Sequence, residues 1–138
     1  MKNKFIIIIS LLLFNIIFSS NLNSSEIFNF NVTELEVTQN GNLYKGTNGG
    51  KASTQDGILI IAEDFEFNKL NANLTAKNNV QFIDSKKDVL INADEIIYFK
   101  NQEKIIARNN VQFKDSKKDT LINADEIIYF KNQEKIIA

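Results

Sequence analysis

The chain holds 138 residues, with 16 Lys and Arg against 17 Asp and Glu and no His, Cys or Pro. Without His and Cys it is excluded from thiol chemistry, imidazole base catalysis and the usual zinc ligand sets, and no disulfide can staple its fold. Its charge balance argues against nucleic acid as a partner, because a surface that tracks phosphates needs a basic excess.

Residues 1–25 read as an export signal. Lys2 and Lys4 open it, the apolar run Phe5–Phe18 follows, and Ser19–Ser25 is polar and small. The run falls short of the ~20 apolar residues that a membrane span requires. Cleavage after Ser20 or Ser25 is expected, with retention as a short anchor the alternative. Residues 26–138 then form one domain, with 14 basic against 17 acidic side chains.

That domain is written in repeats, at approximately 27–48, 49–77, 78–108 and 109–138. Asn78–Ala107 and Asn109–Ala138 differ only at Ile83/Lys114 and Val89/Thr120. The same spacing sets Gly57–Lys77 on Asp88–Arg108, matching Leu59/Leu90, Ile60/Ile91, Ala62/Ala93, Phe67/Tyr98 and Ala76/Ala107. A fainter copy, one residue shorter, sets Phe30, Val32, Leu35, Val37, Tyr44 and Gly46 on Ile60, Ala62, Phe65, Phe67, Leu74 and Ala76. A fixed period of about 30 residues marks an array, whose function lies along a face and not at a point.

Within the unit that starts at Asn78, Val80 and Phe82 alternate with Gln81, as in a half-buried strand. Asp84–Asp88 is a polar turn, and Val89, Ile91 and Ala93 alternate again. The phase then breaks, because Ala93 and Ile96 cannot share a face of one straight strand. A bend or bulge at Asp94-Glu95 restores the inward direction, Lys100–Lys104 turns, and Ile105 and Ala107 start another short strand. A second break falls at Asn109-Asn110, before Val111 and Phe113. Residues 93–107 also suit a helix, but the equivalent Ala62–Ala76 alternates at Phe65-Glu66-Phe67 and carries turn-like asparagines. The pattern predicts an all-β fold of 14 to 16 short strands: a repeat-built antiparallel sheet folded over on itself, a β-jellyroll or β-taco with one open seam. A parallel β-helix, whose rungs run to about 20 residues each, is the competitor.

The run I-x-A-D/E-x-I/F-x-Y/F, a polar turn, then L/I-x-A-x-N-N-V-x-F stands here as Ile60–Phe67 with Leu74–Phe82 and as Ile91–Tyr98 with Ile105–Phe113, and again from Ile122 to Ala138. It resembles the repeat of the OstA/LptA-like proteins of lipopolysaccharide transport. The opening FNFNVTELEVTQNGNLYKG is similar to the start of the soluble domain of the outer-membrane member of that pathway, LptD. The resemblance implies a periplasmic β-jellyroll whose apolar interior carries the acyl chains of lipopolysaccharide toward the outer membrane. It also implies edge-to-edge pairing with related β-jellyroll domains. Asn78 and Asn109 stand where the family commonly has Gly, and no barrel follows Ala138, which leaves a truncated LptD-like domain as an alternative reading.

The expected lipid-binding row is Ile60, Phe65, Phe67, Leu74, Val80, Phe82, Ile91, Ile96, Tyr98, Ile105, Val111, Phe113, Ile122, Ile127 and Tyr129. The same residues would equally serve as plain core, in which case the array is a scaffold that only pairs with its neighbours. A Glu at Phe67 or Tyr98 separates the two: lost lipid binding in a folded protein marks a groove, unfolding marks core. Glu63, Asp94 and Asp125 are expected to accept backbone N–H bonds at corners, not to catalyse. Lys86-Lys87 and Lys117-Lys118, flanked by Asp84, Ser85 and Asp88, read first as solvated turns, with lipid phosphates the alternative. No catalytic residue, metal or cofactor is expected. The short apolar strand at Gln133–Ala138 favours head-to-tail assembly with itself or a related domain.

Overall fold

The structure, a computed structural model, describes residues 27–138, so the expected signal segment lies outside the described residues. Nine antiparallel strands make one sheet: β1 (Asn29–Thr38), β2 (Leu43–Ser53), β3 (Ile58–Ala62), β4 (Asp64–Asn68), β5 (Asn73–Asp84), β6 (Val89–Phe99), β7 (Lys104–Asp115), β8 (Thr120–Phe130) and β9 (Lys135–Ile137). Apart from β3 and β4, which lie end to end between β2 and β5, each strand pairs with the next in sequence. Two single turns of 3₁₀ helix, Lys100–Gln102 and Lys131–Gln133, link β6 to β7 and β8 to β9. The last strand is therefore three residues long, and Gln133 belongs to the turn before it.

Nine strands stand in place of the 14 to 16 expected because the corners bend strands without ending them. Lys77 pairs with Glu95 and Val80 with Ala93, so Asn78-Asn79 oppose Asp94 alone. The pattern returns one repeat later, with Arg108 opposite Glu126, Val111 opposite Ala124, and Asn109-Asn110 opposite Asp125. All four asparagines hold positive φ, between 52° and 67°. Asn reaches this left-handed region more readily than other residues with a Cβ, because its short amide bonds locally. Two such residues in succession turn the strand and reset which side chains point inward.

Asn48-Gly49, also at positive φ, oppose Thr33 in the first pair of strands. Gly49 N–H donates to Glu63 O at 2.8 Å and Glu63 N–H to Asn78 O at 3.2 Å, carrying the ladder across the gap between β3 and β4. The corners thus form one column from β1 to β8, and the sheet creases along it. Its two halves face each other: Phe82 and Tyr98, from opposite sides of the crease, meet edge-on at 5.5 Å, and Phe113 and Tyr129 at 5.2 Å.

The inward rows show why the crease can close. Next to it, buried neighbours across the strands read Gly46, Phe65, Ala76, Ile96, Ala107 and Ile127, alternating small with large. An alternation of this kind leaves room for side chains of the facing half, as dense packing requires. At the pinch, a Cβ on Gly50 would stand 2.4 Å from Asn31 O, so only Gly admits β1 here. Each buried Val, Leu, Ile or Phe stabilises the fold by about 1.5–3 kcal/mol.

Candidate functional site

Fourteen of the fifteen residues of the expected inward row are buried: Ile60, Phe65, Phe67, Leu74, Val80, Phe82, Ile91, Ile96, Tyr98, Ile105, Val111, Phe113, Ile127 and Tyr129. Ile122, on β8, is half-buried and packs against their edge. The row also includes Phe28, which sits edge-on to Phe67 at 5.0 Å and to Tyr98 at 6.0 Å. Its signal is the alternation Phe28-Asn29-Phe30-Asn31-Val32, which begins ahead of Phe30, the first position that matches a later repeat.

The mouth of the fold lies between two sets of turns. One lip carries residues 39–42, 69–72, 100–103 and 131–134, and the other carries 54–57, 85–88 and 116–119. Among the described residues, no backbone hydrogen bond joins the lips. The expected open seam is nevertheless closed, because side chains stitch it. Lys100 Nζ stands 3.0 Å from Asp56 Oδ2, and Lys131 Nζ 3.4 Å from Asp84 Oδ2. Glu134 takes Lys87 at 3.4 Å and Lys118 at 3.1 Å.

Asp84 and Lys131 are buried, a placement their polar turns conceal in the sequence. Asp84 Oδ1 accepts the backbone N–H groups of Lys86 (3.1 Å) and Lys87 (3.0 Å), and its Oδ2 faces Lys131 without a well-formed hydrogen bond. Glu103 lies between the two seam lysines of its own lip, bonded to Lys100 and 3.0 Å from Lys131, and accepts the Tyr98 hydroxyl at 2.9 Å. Burial would raise the Glu103 carboxyl, but Lys100, Lys131 and Tyr98 together hold it below the usual carboxylate range. Burial likewise pushes Asp56 up, yet the Thr54 hydroxyl and Lys100 outweigh it and bring it down to about 2. Burial and then the Glu103 charge push the Tyr98 hydroxyl far up, so it remains a donor.

The corner carboxylates differ in detail from expectation. Glu63 accepts the side-chain amide of Asn79 at 2.9 Å, and Asp94 that of Asn110 at 2.8 Å, so their partners are asparagine side chains and not backbone N–H groups. Asp125 is exposed. Asp94 also lines an open pocket of about 440 Å³ with Ile61, Asn79, Val80, Asn92 and Asn110.

No family model and no curated protein matches the sequence. Among solved structures, the chain is similar to LptH of Pseudomonas aeruginosa, described as the LptA homologous periplasmic component of the conserved lipopolysaccharide transport device. The TM-score is 0.70 over 80% of each chain, at 11% identity. The fold is the LptA-like β-jellyroll.

On this LptA-like sheet the outer face carries a second apolar row, which alternation alone does not reveal. Ile97, Ile106, Ile128 and Ile137 are cross-strand neighbours, all partly or well exposed. Their signal is the isoleucine doublet of each unit, at 96–97, 105–106, 127–128 and 136–137, which gives both faces of a strand an apolar residue. Beside the crease, Lys77, Glu95, Arg108 and Glu126 form a charged row, with pairs at 3.6, 3.4 and 2.9 Å.

Proposed function

We propose that this chain is a non-enzymatic periplasmic component of lipopolysaccharide transport that holds acyl chains between its two half-sheets. One observation carries the reading: a continuous apolar interior lies under a seam closed only by side chains. The likeness to LptH supports it. In this reading an export signal delivers the protein, and the fifteen-residue inward row from Ile60 to Tyr129 contacts lipid once the lips part. A buried CH₂ gains about 0.8 kcal/mol, so a dozen carbons gain on the order of 10 kcal/mol gross. Parting the side-chain packing and the ion pairs lowers the net affinity, which suits a carrier that must release its cargo.

The sheet edges supply the partners. β8 from Thr120 to Ala124 has no strand neighbour on its outer side among the described residues, and β1 is the opposite edge. Unpaired edges recruit strands, so related β-jellyroll domains or a second copy stack head to tail and pass lipid toward the outer membrane. A scaffold that pairs without carrying lipid is the second reading, favoured by the complete burial of Tyr98 against Phe28 and Phe82.

The test is mass spectrometry of lipid that co-purifies with the exported protein without detergent, followed by titration with added lipopolysaccharide. Stoichiometric acylated glycolipid supports the carrier. A folded, lipid-free protein that takes up no added lipopolysaccharide overturns it and leaves the scaffold.

A further inference from the structure

We infer that the seam lysines form a binding site for the phosphorylated headgroup of the amphiphile, with phosphate replacing carboxylate as the lips part. The inference rests on the lipid carriage proposed above and adds the chemistry of the group that stays outside. Lys87, Lys100, Lys118 and Lys131 come from turns on both lips, and each is paired across the seam, to Glu134, Asp56, Glu134 and Asp84. Admitting an acyl chain separates the lips and breaks these pairs together. The ammonium groups are then left at the mouth, where an acyl chain in the interior joins its headgroup.

The exchange has a direction. A phosphate brings more charge and more acceptor oxygens than the carboxylate it replaces, and its bonds to ammonium are charge-assisted. The released carboxylates of Asp56 and Asp84 gain water as the lips separate, so their charge is not stranded. Glu103 stays with Lys100 and Lys131 on the same lip and balances only one of the two. A neutral headgroup would leave Lys87 and Lys118 to water and Lys100 and Lys131 to share Glu103, and opening would be correspondingly less favourable. Beside the seam, Ile27, Thr54, Gln55, Asp56, Lys100, Asn101 and Glu103 line an open pocket of about 580 Å³ with mixed polar and apolar walls, wide enough for a sugar.

The test compares two probes on the full chain by titration: lipid A, and lipid A from which the phosphates have been removed. At low salt the phosphorylated probe is expected to bind about tenfold tighter, with the gap closing as salt rises. Lys87→Gln with Lys118→Gln, chosen because both side chains are partly exposed, is expected to weaken the phosphorylated probe about tenfold. The same pair should leave the dephosphorylated probe unchanged or tighter; a purely structural role would move both probes alike. Equal affinity for the two probes overturns the headgroup site while leaving acyl carriage standing, and binding of neither overturns both. Competition by millimolar inorganic phosphate would mark a site for free anion and also overturn the assignment.

Discussion

Asn110 does two things that few residues can do together. It holds φ of 53° at a corner, and its amide donates to Asp94 of the neighbouring strand at 2.8 Å. An Ala there meets the left-handed region with its Cβ and lacks the amide, whereas a Gly loses only the amide. Asn110→Ala is expected to destabilise the domain by about 1–2 kcal/mol, and Asn110→Gly by less, as read from urea unfolding midpoints. Equal losses for both would mean that the side-chain bond, and not the backbone, sets the corner. The corners are legible in sequence because a phase break in an alternating strand leaves few alternatives. The partners of the corner carboxylates are not, since Glu63 and Asn79 meet only after strand pairing brings them together.

Among the turns, the buried pair of Asp84 and Lys131 outranks its exposed neighbours. Removing one member of a buried pair leaves the other uncompensated, at a cost of about 3–5 kcal/mol. Lys131→Met is expected to lose stability on that scale, while Lys118→Gln, whose side chain is half exposed, should lose under about 1 kcal/mol; thermal unfolding of both variants checks the order. Acid should act on the same seam. The Asp56 carboxyl is lowered from 3.8 to about 2 in the fold, so its contribution is present above pH 3.8 and is lost as pH falls through 2. A fluorescent apolar dye is expected to bind increasingly across that window, and Asp56→Asn should flatten its response there. None of these pairs is readable beforehand, because partners such as Asp84 and Lys131 lie far apart in the chain. Their meeting depends on how the two half-sheets are offset when the crease closes. The inward rows are readable, since strict alternation names the face without needing the offset.

At the scale of the molecule, the sheet ends on two unlike edges. β8 leaves Thr120–Ala124 unpaired on one side among the described residues, with Leu121 at 60% exposure. Placing lysines on such an edge blunts strand addition. Leu121→Lys with Asn123→Lys is expected to abolish any concentration-dependent increase in mass seen by sedimentation, without altering the monomer's stability by more than about 0.5 kcal/mol. The repeat itself carries a different consequence. Because β7 and β8 pair as β5 and β6 do, one repeat apart, the chain has a translational degeneracy. A slipped isomer could dock β7 and β8 in the places of β5 and β6, with one unit looped out. The entropic cost of such a loop grows only logarithmically with its length. Inside, Ile105 would stand for Leu74 and Ala107 for Ala76, so the contact with β4 would hardly register the exchange, but the looped-out unit would forfeit its own burial. At that junction Lys114 would replace half-buried Ile83 and Thr120 buried Val89, while Lys104, Ile106 and Arg108 would replace Asn73, Thr75 and Lys77. The burial of the extra unit selects the native frame, and these mismatches add to the preference. A chain carrying Ile83→Lys and Val89→Thr is expected to visit the slipped frame as an added slow phase of refolding, while the frame with all strands paired remains the equilibrium state.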